Sequence, residues 1–122
     1  MTVQELYEAM EGDYGAALKV MMMEPLVGRM IVKLPQDPSF EKLMQAGETL
    51  DAKGIFEAAH ALKGTAASLG LVKLSGMAGE VCEEFRPGKE RSFSDAELKE
   101  KLEAIRALYE KTIAAIQAFA GK

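Results

Sequence analysis

The segment AHALKGTAASLG, residues 59–70, decides the fold of this chain, because its residues have the spacing of an amphipathic helix. Side chains of a helix advance by about 100° per residue, and at this spacing the segment and the residues just before it have one apolar face. That face consists of Ile55, Ala59, Leu62, Ala66 and Leu69. Gly70 then has the position of a helix-ending glycine. The segment therefore predicts a helix with one core face, and beside that face lies His60, the only histidine among 122 residues.

Short helices are expected before this segment, at the N-terminal end of the chain. Thr2 and Glu5 form a capping-box pair that opens a first helix. Asp13 caps a second helix that runs to about residue 34 and is closed by Pro35. Pro25 kinks or interrupts this second helix, because proline removes one intrahelical donor and clashes with the preceding turn.

Four longer helices follow, and we predict their ranges as 38–49, 52–69, 71–85 and 95–119. Asp37-Pro38, Asp51 and the Ser94/Glu97 capping box mark three of their starts. Apolar residues recur at helical spacing, and short connections favour antiparallel neighbours. The sequence therefore predicts an all-α protein: an up-and-down antiparallel four-helix bundle with additional short N-terminal helices. Residues 1–122 are expected to form a single domain, and the starting Met and closed helical plan favour a free-standing protein.

Composition argues against several classes of function. The net charge is −4 and no basic stripe is present, so nucleic acid is not an expected partner. Charged residues, proline and glycine interrupt the apolar stretches, which makes a membrane span improbable, and the acidic N-terminus is unlike a signal peptide. The single cysteine, Cys82, excludes an internal disulfide and fits a reducing compartment. We expect a cytoplasmic monomer that binds neither nucleic acid nor membranes.

Three residues of the predicted central helix form a pattern that indicates a reactive site. Lys63 and Gly64 follow His60 by three and four residues, so all three lie within one turn on one side of the helix. A glycine inside a helix costs about 0.5–1 kcal/mol relative to alanine, so Gly64 is a poor choice for packing alone. The nearby residues are also small: Ala61, Ala67 and Ser68. A neutral imidazole is a nucleophile, and the pattern suits a histidine that takes up a phosphoryl group and passes it on.

The run His60-Ala61-Leu62-Lys63-Gly64, followed by small residues and Leu69-Gly70, resembles the signature of histidine-containing phosphotransfer (HPt) domains. Asp51 also lies where this family often has its helix-capping aspartate. The resemblance implies a phosphocarrier in a multistep two-component phosphorelay. His60 would accept the phosphoryl group from a receiver-domain aspartate and pass it to another receiver.

The resemblance also implies roles for the residues beside His60 and for the partners. Lys63 would neutralise phosphoryl charge, and Gly64 would let the receiver approach. Receivers would supply the Mg²⁺, so no cofactor and no metal site are expected in this chain. The partners would be response-regulator receiver domains and a hybrid sensor histidine kinase. Since no Gly-rich nucleotide loop is present, no ATP site or kinase activity is expected. Whether such a phosphotransfer intermediate counts as an enzyme is left open.

Other features leave alternatives open. Several relatives have a Gln on the next helix that bonds the histidine ring; that place falls near Cys82, beside the polar Glu80 and Glu83. We interpret the acids of this helix, including Glu84, as a solvated face. Methionines near the N-terminus either fill the core or dock receivers. The candidate docking residues are Phe56, Ala67, Ser68, Met10, Tyr14 and Met21. The alternative function is a non-catalytic helical adaptor that binds a receiver or another signalling partner.

Overall fold

The computed structural model describes residues 1–121, and every regular element within that range is helical. The seven α-helices are α1 (Val3–Ala9), α2 (Tyr14–Met21), α3 (Glu24–Ile31), α4 (Ser39–Thr49), α5 (Ala52–Ser68), α6 (Val72–Glu84) and α7 (Asp95–Ala120). A short 3-10 turn, Leu34–Gln36, separates α3 from α4. The all-α class is therefore confirmed, and the four long helices lie within one or two residues of their predicted limits.

The predicted second helix is divided into two helices. Asp13 caps α2 as expected, and its carboxylate accepts a hydrogen bond from the Ala16 backbone N–H at 3.0 Å. α2 ends at Met21, and Met22 adopts a left-handed conformation with φ 75°. Pro25 lies in the first turn of α3, where its missing N–H would have no partner in any case. The interruption is confirmed, but a helix as far as residue 34 is wrong, because α3 ends at Ile31.

The helices enclose one core. α5 packs against α4 and α6, and α7 packs against α6, α4 and α1. α2 contacts both α1 and α5, so the N-terminal helices cover part of the bundle that contains the central helix. Large fully buried side chains come from nearly all of these helices and from the 3-10 turn: Leu6, Tyr7, Met10, Ile31, Leu34, Leu43, Ile55, Leu62, Leu74, Leu98, Ile105 and Ile116.

The end of α5 is fixed by contacts with the N-terminal helices. The buried Tyr7 hydroxyl donates to the Leu69 carbonyl at 2.6 Å, and the Asp13 N–H donates to the Gly70 carbonyl at 2.7 Å. Gly70 has φ +73°, and a Cβ at this position would lie 2.5 Å from the Asp13 carbonyl oxygen and 2.8 Å from Ala17. Only glycine fits both the left-handed conformation and this close approach.

Glu84 corrects the interpretation of the α6 acids as a solvated face, because its side chain is buried, with 4% exposure. The carboxylate accepts hydrogen bonds from the backbone N–H groups of Ser92 and Phe93, and it pairs with Lys89 at 3.0 Å. Burial by itself raises the pKa of this carboxyl, but the hydrogen bonds outweigh burial and lower the pKa to about 2. Glu84 therefore anchors the segment between α6 and α7.

Candidate functional site

The central helix has the orientation that its periodicity predicts. All five predicted core residues of this helix and its flank are buried: Ile55, Ala59, Leu62, Ala66 and Leu69. The Asp51 carboxylate caps the helix by accepting from the Gly54 N–H at 3.1 Å. His60 is exposed, as are Lys63 and Gly64. The three residues singled out in the sequence therefore share the accessible side of α5.

Two side chains lie beside the His60 ring. The Phe56 ring, one turn earlier on α5, lies nearly parallel to it, with 6.1 Å between centroids and 19° between planes. The Cys82 sulfur of α6 lies 3.9 Å from His60 Nδ1. Burial raises the pKa of the Cys82 thiol, although the nearby Lys63 charge opposes that effect, so the group is a neutral thiol at neutral pH. Within residues 1–121, no protein group hydrogen-bonds to the other ring nitrogen, Nε2.

The identity of the ring's neighbour on α6 answers a question that the sequence left open. Cys82 itself faces the histidine, while the two polar candidates engage other partners. Glu80 pairs with Lys101 of α7 at 3.5 Å, and Glu83 pairs with Arg86 at 2.9 Å. The neighbour of the ring on α6 is therefore a thiol.

Lys63 lies across a glycine of the adjacent helix. A Cβ built on Gly79 of α6 would lie 3.5 Å from Lys63 Cδ and 3.7 Å from Cε, which is ordinary van der Waals contact. The Ser75 hydroxyl of the same helix donates to the Lys63 carbonyl at 3.0 Å. The aliphatic stem thus has a groove on α6 while the residue as a whole stays exposed.

Gly64 has no packing role in the described structure. A Cβ at this position would meet nothing within 4 Å beyond the residues of its own helical turn. Ser68 donates to the Gly64 carbonyl at 3.0 Å, a bond that an added methyl group would leave in place. Glycine lowers the stability of a helix relative to alanine, and no contact in the described structure requires it at position 64. The missing side chain leaves open space one turn from His60.

The candidate docking residues divide into two groups. Ala67 and Ser68 are exposed, Phe56 is half-buried, and all three lie on α5 with His60. Met21 is half-buried and lines a cavity of about 260 Å³ together with Thr65 and Ser68, so the α2–α3 turn reaches α5.

The other two candidates lie elsewhere. Tyr14 is half-buried and packs edge-on against Tyr7, with 5.9 Å between ring centroids, near the Gly70 end of α5. The docking role expected for Met10 is wrong, because its side chain is only 2% exposed and belongs to the core. Its thioether faces the other buried side chains, so it cannot form part of a docking surface.

Among residues 1–121 no group of three or more His, Cys, Asp or Glu side chains is arranged to hold a metal ion. In the same part of the chain, no helix combines the length and apolar character needed to cross a membrane.

Fold and site together define an all-helical domain that exposes its single histidine beside a lysine and an unsubstituted helical position. Residues 22–111, well over half of the chain, match the family described as the Hpt domain, and the chain belongs to that family. The match begins at Met22 and includes α3 to α6 and most of α7. Hpt domains carry out histidine phosphotransfer in phosphorelays, where they interact with receiver domains and kinases. Searches among curated proteins and among solved structures each find no match.

Proposed function

We propose that this protein is a histidine phosphocarrier of a multistep phosphorelay, and that His60 carries the phosphoryl group on Nε2. The observation that carries this proposal is the exposed imidazole, whose Nδ1 faces Cys82 while Nε2 has no protein partner within residues 1–121. An unpartnered ring nitrogen at an accessible surface is available as a nucleophile.

The transfer has a simple balance of bonds. Nε2 of His60 attacks the phosphorus of an aspartyl phosphate on a receiver, an N–P bond forms, and the acyl P–O bond breaks to release the aspartate carboxylate. The reverse steps pass the group to a second receiver. The Lys63 ammonium, one turn along α5, stabilises the phosphoryl charge. The receiver supplies Mg²⁺ and its acidic pocket, so the chain contributes the imidazole and the cation but no cofactor of its own.

We further propose that receivers dock on the exposed side of α5. Gly64, Ala67 and Ser68 form a low surface beyond His60, and Phe56 flanks the ring on the other side. Met21 extends this surface onto the α2–α3 turn through the cavity that it shares with Ser68. Methionine surfaces adapt to different partners, which suits a carrier that must meet a donor receiver and an acceptor receiver.

The proposal includes the architecture and the setting. The contacts of α4 with α5, α5 with α6, α6 with α7 and α7 with α4 support an up-and-down four-helix bundle with α1–α3 added at its N-terminal side. Residues 1–122 would act as a single domain and as a monomer. Receivers and the transmitter parts of hybrid histidine kinases would meet such a carrier in the cytoplasm.

The test is transfer from a phosphorylated receiver. We expect wild-type protein incubated with a radiolabelled receiver phosphate to acquire acid-labile, alkali-stable label, and His60→Gln to acquire none. Lys63→Ala should keep the helical circular dichroism of the wild type but slow transfer by about tenfold, the effect of losing one charge-assisted contact. Equal labelling of wild type and His60→Gln would refute the phosphocarrier. Receiver binding without transfer in the wild type would favour the adaptor.

A further inference from the structure

Two exposed methionines at the turn between α2 and α3 belong neither to the core nor to the surface proposed above. Met22 is 82% exposed and Met23 is 55% exposed, and the nearby Val20 is 57% exposed. Three of the six exposed large apolar side chains within residues 1–121 therefore lie in one run of four residues. Single exposed apolar side chains are ordinary, whereas a cluster of them indicates a surface with a role of its own.

The backbone at Met22 makes its side chain dispensable for the fold. Met22 has φ 75°, the left-handed region that favours glycine, and its N–H closes α2 by donating to the Leu18 carbonyl at 2.7 Å. A glycine would make the same backbone hydrogen bond without strain. Because the thioether is so exposed, it adds little packing, and a chemical change at its sulfur leaves the helices in place.

The other sulfur atoms are better protected, with one exception. Met1 is 52% exposed. The five remaining methionines are buried or half-buried: Met10, Met21, Met30, Met44 and Met77. Cys82 is 7% exposed, and burial raises the pKa of its thiol, so little reactive thiolate is present near neutral pH. An oxidant in solution therefore meets the thioethers of the α2–α3 turn before it meets the sulfur atom beside His60.

We propose that Met22 and Met23 form a reversible oxidation site at the edge of the receiver-docking surface, and that their conversion to sulfoxides weakens receiver docking. This inference concerns the regulation of the proposed phosphotransfer site and rests on the proposed function. The oxidant is a hydroperoxide: its O–O bond breaks, one oxygen bonds to the thioether sulfur, the sulfur loses two electrons, and the hydroperoxide is reduced to water or an alcohol. A sulfoxide reductase reverses the step by oxidising two thiols to a disulfide and releasing the oxygen as water.

The position of the turn explains how oxidation would act on docking. Met21, directly before Met22, lines the cavity of about 260 Å³ together with Thr65 and Ser68 of α5. Ser68 lies about two turns along α5 from His60, so a partner that covers both residues reaches the α2–α3 turn. A thioether is apolar and adaptable, whereas a sulfoxide is polar, so oxidation removes apolar contact area at this edge. The imidazole itself is unchanged.

The first experiment locates the oxidised sulfur atoms. The protein is treated with dilute hydrogen peroxide at about pH 6, where a thiol of raised pKa is neutral, and is then digested with trypsin. The tryptic peptide 20–29 contains Met21, Met22 and Met23, and tandem mass spectrometry assigns the added oxygen to each. We expect Met22 to react before the half-buried Met21 and about tenfold faster than Met44, in line with exposed fractions of 82% and 8% for Met22 and Met44. Equal rates for Met22 and Met44 would overturn the oxidation site.

The second experiment measures the effect of oxidation on transfer. Protein oxidised until the peptide 20–29 is converted is freed of peroxide and incubated with a phosphorylated receiver. We expect transfer at subsaturating protein to slow by about two- to tenfold, the effect of weakening one or two interface side chains, while the circular dichroism stays unchanged. Sulfoxide reductases with a dithiol should restore the rate. Transfer at the rate of untreated protein would overturn the regulatory role.

Matched variants assign the effect to these two sulfur atoms. The double variant Met22→Leu/Met23→Leu keeps an apolar surface of similar size without an oxidisable atom, so peroxide should no longer slow its transfer. Met77→Leu is the control, because Met77 is half-buried and lines the groove between α6 and α7; peroxide should slow this variant as it slows the wild type. A double variant that peroxide still slows would refute the proposal.

The proposed function can fail separately. Phosphoramidate is a small donor that needs no docking: its P–N bond breaks, ammonia leaves, and Nε2 of His60 gains the phosphoryl group. Phosphoramidate labelling should be equal before and after oxidation, and a fall would overturn an effect through docking. A wild type that phosphoramidate labels but phosphorylated receivers do not would refute the relay, while the oxidation rates within the peptide 20–29 still decide whether Met22 and Met23 form the oxidation site.

Discussion

Replacing Gly64 should separate stability from function. A Cβ at this exposed helical position meets nothing within 4 Å, so Gly64→Ala gains helix propensity and loses no contact. We expect the free energy of unfolding to rise by about 0.5–1 kcal/mol. For a chain of this size that corresponds to an increase in Tm of about 2–5 °C, measured by circular dichroism at 222 nm. Gly76→Ala is the control and should show a similar gain.

The functional effect of the same position should have the opposite sign. Gly64→Gln places a long side chain in the space one turn from His60, so transfer from a phosphorylated receiver should slow by about tenfold or more, as expected when the approach of reacting groups is misplaced. Phosphoramidate labelling should change little, because this small donor does not need the open surface. A loss of stability in Gly64→Ala would show that a contact requires the glycine. Transfer from the receiver at the wild-type rate in Gly64→Gln would refute the steric argument.

Three further predictions concern the scaffold. Gly70→Ala should lower the free energy of unfolding by about 1–3 kcal/mol in urea titrations, because the added Cβ is strained at φ +73° and collides with the Asp13 carbonyl; unchanged stability would contradict that contact. Met22→Gly should raise stability by about 1 kcal/mol, since Met22 is left-handed and 82% exposed; a decrease would mean that its side chain packs in solution. Glu84→Gln should lower the urea midpoint at pH 7. The pKa of Glu84 falls from 4.5 to about 2 on folding, so its stabilisation is complete above about pH 4.5 and is lost as the pH falls towards 2. The variant should show a flatter acid limb, and an identical pH profile would refute the anchor.

Local patterns account for the success of the helix assignments. The Thr2 and Ser94 capping boxes form as predicted, because a cap depends on residues three apart in the chain. The core face of α5 follows from the rotation per residue alone. The predicted second helix is instead two helices, because Met22 adopts a left-handed conformation after α2 and Pro25 lies in the first turn of α3. A left-handed methionine has no distinct signal in the sequence.

Burial was harder to predict where it depends on distant segments. Met10 is buried because α1 packs against α7, and nothing in its own neighbourhood distinguishes it from the exposed Met22. Glu84 is buried because the segment 89–93 folds back over it and supplies donors. A charged residue at the end of a helix predicts exposure, and the exception requires partners that a local pattern does not include.

The sequence by itself determined which residues of α5 stand together: His60, Lys63 and Gly64 share a side because a helix places residues three and four apart on one face. The tertiary structure decided what faces them. The packing and rotation of α6 against α5 put Cys82 against Nδ1 and Gly79 under Lys63, and these depend on core contacts spread over the whole chain. His60 and Lys63 are thus neighbours through the geometry of one helix, whereas the groups that face them are brought there only where two helices meet.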